Sequence, residues 1–311
     1  MKKLTMILSA AALALPVLAA PVNPADVAAG ARWVVHADLD SFKGTEMGRY
    51  MKGKLIDPAA QNKLDAFQQM FQFDPSEDIA SVTLYGATRR EEDAIALFRG
   101  RFKGDALVTL LKANDTYKVR REDGVEIHSW VDEKKGGDQR TFGAILDNQV
   151  VIIGRGGDNV ARAAAVVKGR SAAFNPADAA FPLPQGAPSF FAAAANLQDL
   201  GIDDPRAAMV RDIVAGSIVI GEQAAQMQGT LSVTTRTPEA AGQMNAMLTG
   251  LLAMAQMNKE QKPELALAAQ RVKPEVNGST FTVSMAMPVR ELIAEMEKHQ
   301  AKMKIGIDGG L

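Results

Sequence analysis

Three dipeptides, Asp123-Gly124, Asp147-Asn148 and Asn277-Gly278, each stand between two segments of strand-forming residues and commit the chain to hairpins. Asp, Asn and Gly reach the left-handed backbone angles that a two-residue turn demands, and a chain that turns so tightly lays its strands antiparallel. The flanking segments are Tyr117 to Arg121 with Val125 to Val131, Thr141 to Leu146 with Gln149 to Ile153, and Val272 to Val276 with Thr280 to Met287. Ile79 to Ala87 and Ala94 to Arg101 pair likewise around the polar turn Arg89-Arg90-Glu91-Glu92-Asp93. The intervening helices carry one apolar stripe each, which covers one sheet face and leaves the other open. The expected fold class is therefore α+β, with two similar halves, each a mainly antiparallel sheet with helices packed on one face. A doubly wound parallel sheet needs regular strand-helix-strand alternation, and this chain runs repeatedly from strand to strand.

The order of segments repeats. Trp33 to Asp40 opens as a strand, two helices share Gly44 to Phe73 with a break near Asp57-Pro58, and further helices run from Asp105 to Lys112 and from Asp158 to Val167. Between Ala172 and Pro188 periodicity disappears among Pro176, Pro182, Pro184 and Pro188. Phe190 to Gly201 then repeats the opening strand, with Ala195-Asn196-Leu197 matching Ala37-Asp38-Leu39. A helix near Pro205 to Val214, strands at Ser217 to Gly221 and Gly229 to Thr235, a long helix capped by Thr237 with Pro238 in its first turn, the last hairpin and a helix from Pro288 complete the second copy. We read an internal duplication, with a first half over 20–171, a linker over 172–188, a second half over 189–304 and a tail over 305–311. The second copy lacks one hairpin of the first. The contact surface expected of such a chain is the open sheet face or a groove between the halves.

Met1-Lys2-Lys3 is followed by an apolar run from Leu4 to Leu18 that ends in small residues, the pattern of a signal peptide. Residues 1–19 are expected to be removed after Ala19, with the mature protein periplasmic or secreted. The run falls short of the roughly 20 residues a membrane-crossing helix needs, and no transmembrane segment is expected in the mature chain. The sequence contains no cysteine, which excludes disulfides and attachment of lipid to an N-terminal Cys. A net charge of −1, with both signs mixed along the chain, and only 5% aromatic residues argue against nucleic acid as a partner. The pattern W-x-x-H-x-D-L-D-x-F, formed by Trp33, His36, Asp38, Leu39, Asp40 and Phe42, resembles the start of uncharacterised exported bacterial proteins. That resemblance implies export and carries over no catalytic residue.

Three constellations are candidates for chemistry. His36, Asp38 and Asp40 share one face of the opening strand by period two, opposite Val35, Ala37 and Leu39, and a His with two carboxylates suits a divalent metal. Glu126 and His128 share a face of another strand and are the available further ligands. The plain alternative is a polar strand face turned to water, supported by Ala194, Asn196 and Gln198 at the matching positions. Gly154, Gly156 and Gly157 surround Arg155 between a strand and a helix, where backbone N–H groups can cradle an anion. Their spacing fits neither the dinucleotide fingerprint nor the P-loop, and Asp158 as a helix cap explains the turn without a ligand. Met244, Met247, Met254 and Met257 recur along the long helix, with Met285 and Met287 on the last strand, a thioether set that suits Cu(I) or Ag(I). Ala240, Leu248 and Leu251 complete the same stripe, so the methionines are expected in the core.

No G-x-S-x-G, S-x-x-K or H-E-x-x-H pattern occurs, and the chain holds three histidines. No cofactor is expected. The expected function is a non-catalytic binding or structural module whose partner is a protein or a small molecule. The alternatives are a metal-dependent hydrolase using His36, Asp38 and Asp40, and a methionine-based Cu(I) or Ag(I) binder.

Overall fold

The structure of the protein is a computed structural model that describes residues 22–55, 73–131, 139–176, 189–198 and 212–308, with the single positions 65, 68, 69, 181 and 183. Its strands are β1 (Trp33–Asp38), β2 (Ile79–Gly86), β3 (Ala94–Gly100), β4 (Lys118–Glu122), β5 (Val125–Val131), β6 (Arg140–Leu146), β7 (Val150–Gly154), β8 (Phe191–Asn196), β9 (Ile213–Gln223), β10 (Gln226–Thr235), β11 (Val272–Asn277) and β12 (Thr280–Pro288). They form one antiparallel sheet in the order β11-β12-β10-β9-β8-β1-β2-β3-β7-β6-β5-β4. The helices are α1 (Leu39–Gly44), α2 (Glu46–Leu55), α3 (Pro75–Asp78), α4 (Gly104–Lys112), α5 (Gly157–Val167), α6 (Pro238–Met257), α7 (Pro263–Arg271) and α8 (Val289–Asp308). The fold class is α+β.

Two series of strands run outward from the β1-β8 pair, one from each of the stretches the sequence divides at its Pro-rich segment. In the first, β1, β2 and β3 follow one another and β7 and β6 are added beyond them; in the second, β8, β9 and β10 are extended by β12 and β11. The hairpin β4-β5 is the extra element of the first half. The halves meet through a ladder between β1 and β8, in which Val34 pairs with Ala194 and His36 with Ala192. This ladder joins the strands before and after residue 180 into one sheet.

Local chemistry accounts for the turns. Asp123 and Gly124 hold φ of 47° and 74°, and Asp147 and Asn148 hold 50° and 55°, the left-handed angles their side chains tolerate. Gly278 does the same at 56° between β11 and β12. The hairpin between β9 and β10 breaks this pattern, for Ala224 and Ala225 take φ of 49° and 58°. Both strands run longer than their composition suggested, and Ile213 and Val214, expected at the end of a helix, belong to β9. Residues 205–211 of that expected helix and the segment 56–64 lie outside the described residues, as do residues 1–21.

The core of the first half lies under α5, which buries Val160, Ala163 and Ala164 together with Ile127, Ala144 and Ile152. Phe174, Phe181 and Leu183, from the Pro-rich segment, join the same core. Asp26 is buried beside them and accepts two hydrogen bonds from the Arg99 guanidinium, at 2.6 and 2.5 Å. In the second half α6 and α7 pack on each other and on the outer strands. Helix α6 begins as expected, with Thr237 Oγ1 accepting from Ala240 N–H at 3.2 Å.

Candidate functional site

The polar residues of β1 do not face water. Val34, His36 and Asp38 are buried while Trp33, Val35 and Ala37 are half-buried, the reverse of the expected orientation. Period two groups residues onto a face, and the partners across the ladder decide which face meets the core. Here His36 pairs with Thr83 and Asp38 with Ser81, both buried. The His36 Nδ1 lies 2.9 Å from Thr83 Oγ1. Asp38 caps α1, its carboxylate accepting from Ser41 N–H at 2.9 Å and Ser41 Oγ–H at 2.5 Å. Asp40 departs from the strand altogether. It stands in the first turn of α1, exposed and paired with Lys43 at 2.9 Å.

Nor do Glu126 and His128 meet these residues. Five strand steps of about 4.8 Å separate β5 from β1, roughly 24 Å along the sheet. The ladder partners run His128, Gly143, Ile153, Ala96, Leu84, Val35, so His128 shares a face with Val35 and lies opposite His36. Glu126 is exposed. Among the described residues no group of three or more His, Asp or Glu could hold a metal ion. His128 instead stacks on Tyr117, whose hydroxyl lies 2.9 Å from Nδ1. Burial pushes the imidazole pKa down, against the pull of Glu126 and with a smaller push from Lys112.

Packing explains the glycine turn after β7. A Cβ at Gly157 would lie 2.9 Å from the Phe142 ring, and one at Gly156 would lie 2.8 Å from the Glu92 carbonyl oxygen. Gly154 is hemmed in by Val160 and Ile95. The helix cap is Gly156 rather than Asp158, which lies within the first turn and pairs with Arg120 at 2.8 Å. Asn159 Nδ2 donates to the Glu92 carbonyl, so the polar groups at this turn bind the neighbouring loop.

The methionines correct another expectation. Met247, Met254 and Met257 are exposed, by 50%, 61% and 84%, together with Leu251. Met244 is half-buried, and the residue of α6 that is buried is Ala241. The stripe exists, but Met247, Leu251, Met254 and Met257 point away from the protein, while Met244 and Leu248 are half-buried.

A different site emerges on the sheet. Trp33, Leu84, Ala96, Ile153, Thr141 and Trp130 come from six adjacent strands and line one groove with a water-accessible volume near 430 Å³. These two tryptophans are the complement of the whole chain. Each indole rests where the neighbouring strand has a glycine. A Cβ on Gly86 would lie 2.8 Å from the Trp33 ring, and one on Gly143 would lie 3.4 Å from the Trp130 ring. Trp33 is further fixed by donating Nε1–H to the Thr88 carbonyl at 2.7 Å. On the groove floor Leu84 is 37% exposed although β2 is an interior strand. Arg155 and Glu91 line the same groove, and Arg155 donates to Thr141 Oγ1 at 2.9 Å. The signal in the sequence was a Gly on the strand beside each Trp, directly opposite for Trp33 with Gly86 and diagonal for Trp130 with Gly143, which needs the strand order to be read.

No protein-family model matches this chain, and no curated protein matches it. Among solved structures, crystal form IV of TP0453 is similar with a TM-score of 0.46 at 9% identity, over 89% of this chain and 97% of that one. Crystal form III of TP0453 gives 0.44 at 8% identity, over 88% and 96%. Crystal form I gives 0.43 at 11%, over 90% and 98%. Among the described residues no helix is long and apolar enough to cross a membrane.

Proposed function

We propose that this chain is a non-catalytic binding module that holds an apolar ligand in the sheet groove between Trp33 and Trp130. The observation that carries the reading is Leu84, an exposed large aliphatic on an interior strand, flanked by indoles that two glycines allow to lie over the sheet. An interior strand presents such a side chain to water at a cost of order 1 kcal/mol unless something covers it. The groove volume falls within the range of small-molecule sites. Indoles add large apolar contact area, and the Arg155 and Glu91 side chains give the rim a polar edge that can orient a ligand.

Catalysis finds no comparable support. The groups suited to it are committed to the fold: Asp38 caps α1, His36 meets Thr83, and His128 meets Tyr117. The proposal includes export through the apolar segment Leu4 to Leu18, which places the groove outside the cytoplasm.

Titration with the apolar fluorophore Nile red tests the reading. Saturable binding is expected, weakened at least tenfold by Leu84→Asp and by Trp33→Ala, and unchanged by Arg271→Ala, whose site on α7 is remote. Equal affinity in all four proteins would overturn it.

A further inference from the structure

We propose that α6 and α7 form the interface with a second copy of this chain, packed antiparallel about a two-fold axis near Gly250. The residues these helices bury fully are small, Ala241, Ala266 and Ala269, with Met244, Leu248 and Leu252 half-buried, while Met247, Leu251, Met254, Met257, Leu265 and Leu267 are all exposed by 47% or more. A surface helix normally buries its large apolar side chains and shows its small and charged ones. From Ala240 to Asn258 there is no charged residue at all, so nothing keeps this face apart from another apolar surface.

The shape and charge of the face favour a copy of itself. Beside the Met/Leu ridge run Ala246, Gly250 and Ala253, all exposed, and a Cβ added at Gly250 meets nothing within 4 Å. A ridge of one copy therefore has a shallow channel to enter on the other. Along α6 charges stand at its two ends, with Glu239 in the first turn and Lys259, Glu260 and Lys262, net positive, just after its last. Antiparallel pairing about Gly250 sets Glu239 of each protomer opposite the net-positive segment Lys259-Glu260-Gln261-Lys262 of its partner, twice by symmetry. Parallel pairing would bring like charges together.

Size is sufficient for a modest dimer. Helix α6 has 20 residues and is about 30 Å long, and α7 beside it adds a further 13 Å or so. Two helix faces about 10 Å wide give each copy a flat footprint of roughly 400–500 Å². Corrugated surfaces bury more accessible area than their projection, which brings the pair near the lower end of specific interfaces, about 1,200 Å² in total. The face belongs to the second half, and the groove of Trp33 and Trp130 to the first, so either can hold without the other.

Analytical ultracentrifugation of the mature chain over about 1–100 µM decides the matter. Dimerisation with a micromolar Kd is expected, weakened at least tenfold by Leu251→Glu with Met254→Glu, two exposed positions whose replacement should leave the circular dichroism spectrum unchanged. Glu239→Lys should weaken the dimer, and adding Lys259→Glu and Lys262→Glu should restore it. A monomer throughout the range, a dimer indifferent to the Leu251 and Met254 changes, or a monomer that floats with phosphatidylcholine vesicles through those residues would each overturn the proposal.

Discussion

The Trp33 indole lies over Gly86, its direct partner across the β1-β2 ladder, so closely that an added Cβ would stand 2.8 Å from the ring. Only glycine leaves that space. Gly86→Val is expected to lift the indole, destabilise the protein by about 1–3 kcal/mol and weaken Nile red binding. Urea unfolding and the tryptophan emission maximum measure both effects, and an unshifted emission would mean that the ring does not rest on Gly86.

Tyr85 is buried, and among the described residues its hydroxyl meets no hydrogen-bond partner. Burial pushes its pKa well up, and Asp26 adds to the shift, so the group stays protonated throughout the working range. A buried donor without an acceptor is a net loss to the fold. Tyr85→Phe should stabilise the protein by about 1 kcal/mol, whereas Tyr117→Phe, which breaks the contact with His128, should destabilise it by a similar amount. Thermal unfolding of the two variants gives the signs directly.

His128 makes stability depend on pH in a defined direction. Its pKa in the folded protein lies below the ordinary histidine value, chiefly because burial disfavours the imidazolium. The unfolded chain therefore binds the proton more readily. This contribution is complete above about pH 6.5 and is lost as pH falls through the folded value. Chemical unfolding at pH 7.5 and pH 5 should show a drop in stability that is smaller in His128→Gln. An equal drop in both would place its origin elsewhere.

The hairpin between β9 and β10 carries strain. Ala224 and Ala225 occupy the left-handed region, which disfavours a side chain with Cβ by about 1–2 kcal/mol per residue. Ala225→Gly, and Ala224→Asn separately, should each raise stability by about 0.5–1 kcal/mol, because these residues reach such angles readily. The Ala225 carbonyl accepts from Val289 N–H at 3.0 Å, so the turn also anchors the start of α8. Destabilisation by Ala225→Gly would show that the turn is not the source of strain.

These cases mark what was legible in the residues alone. Asp123-Gly124 and Asp147-Asn148 announce their hairpins because the required backbone angles are a property of those residue types. Ala224-Ala225 announces nothing, since tertiary pairing imposes its angles. Periodicity placed His36 with Asp38 on one face and Met247 with Met254 on another, yet both orientations came out reversed. Which face turns inward depends on partners far away in the chain: β1 turns the face that meets Thr83 and Ser81 inward, and α6 buries Ala241 while Met247 and Met254 stay exposed. The groove depends on the order β1-β2-β3-β7-β6-β5, in which chain neighbours such as β3 and β4 are not sheet neighbours.

Energy transfer from each tryptophan to bound Nile red tests the central claim most directly, using Trp33→Phe and Trp130→Phe so that one indole remains in each protein. Quenching of both remaining indoles with the same saturation curve is the predicted result. Saturable binding with neither indole quenched, or no binding to the wild type, would contradict the groove as the ligand site.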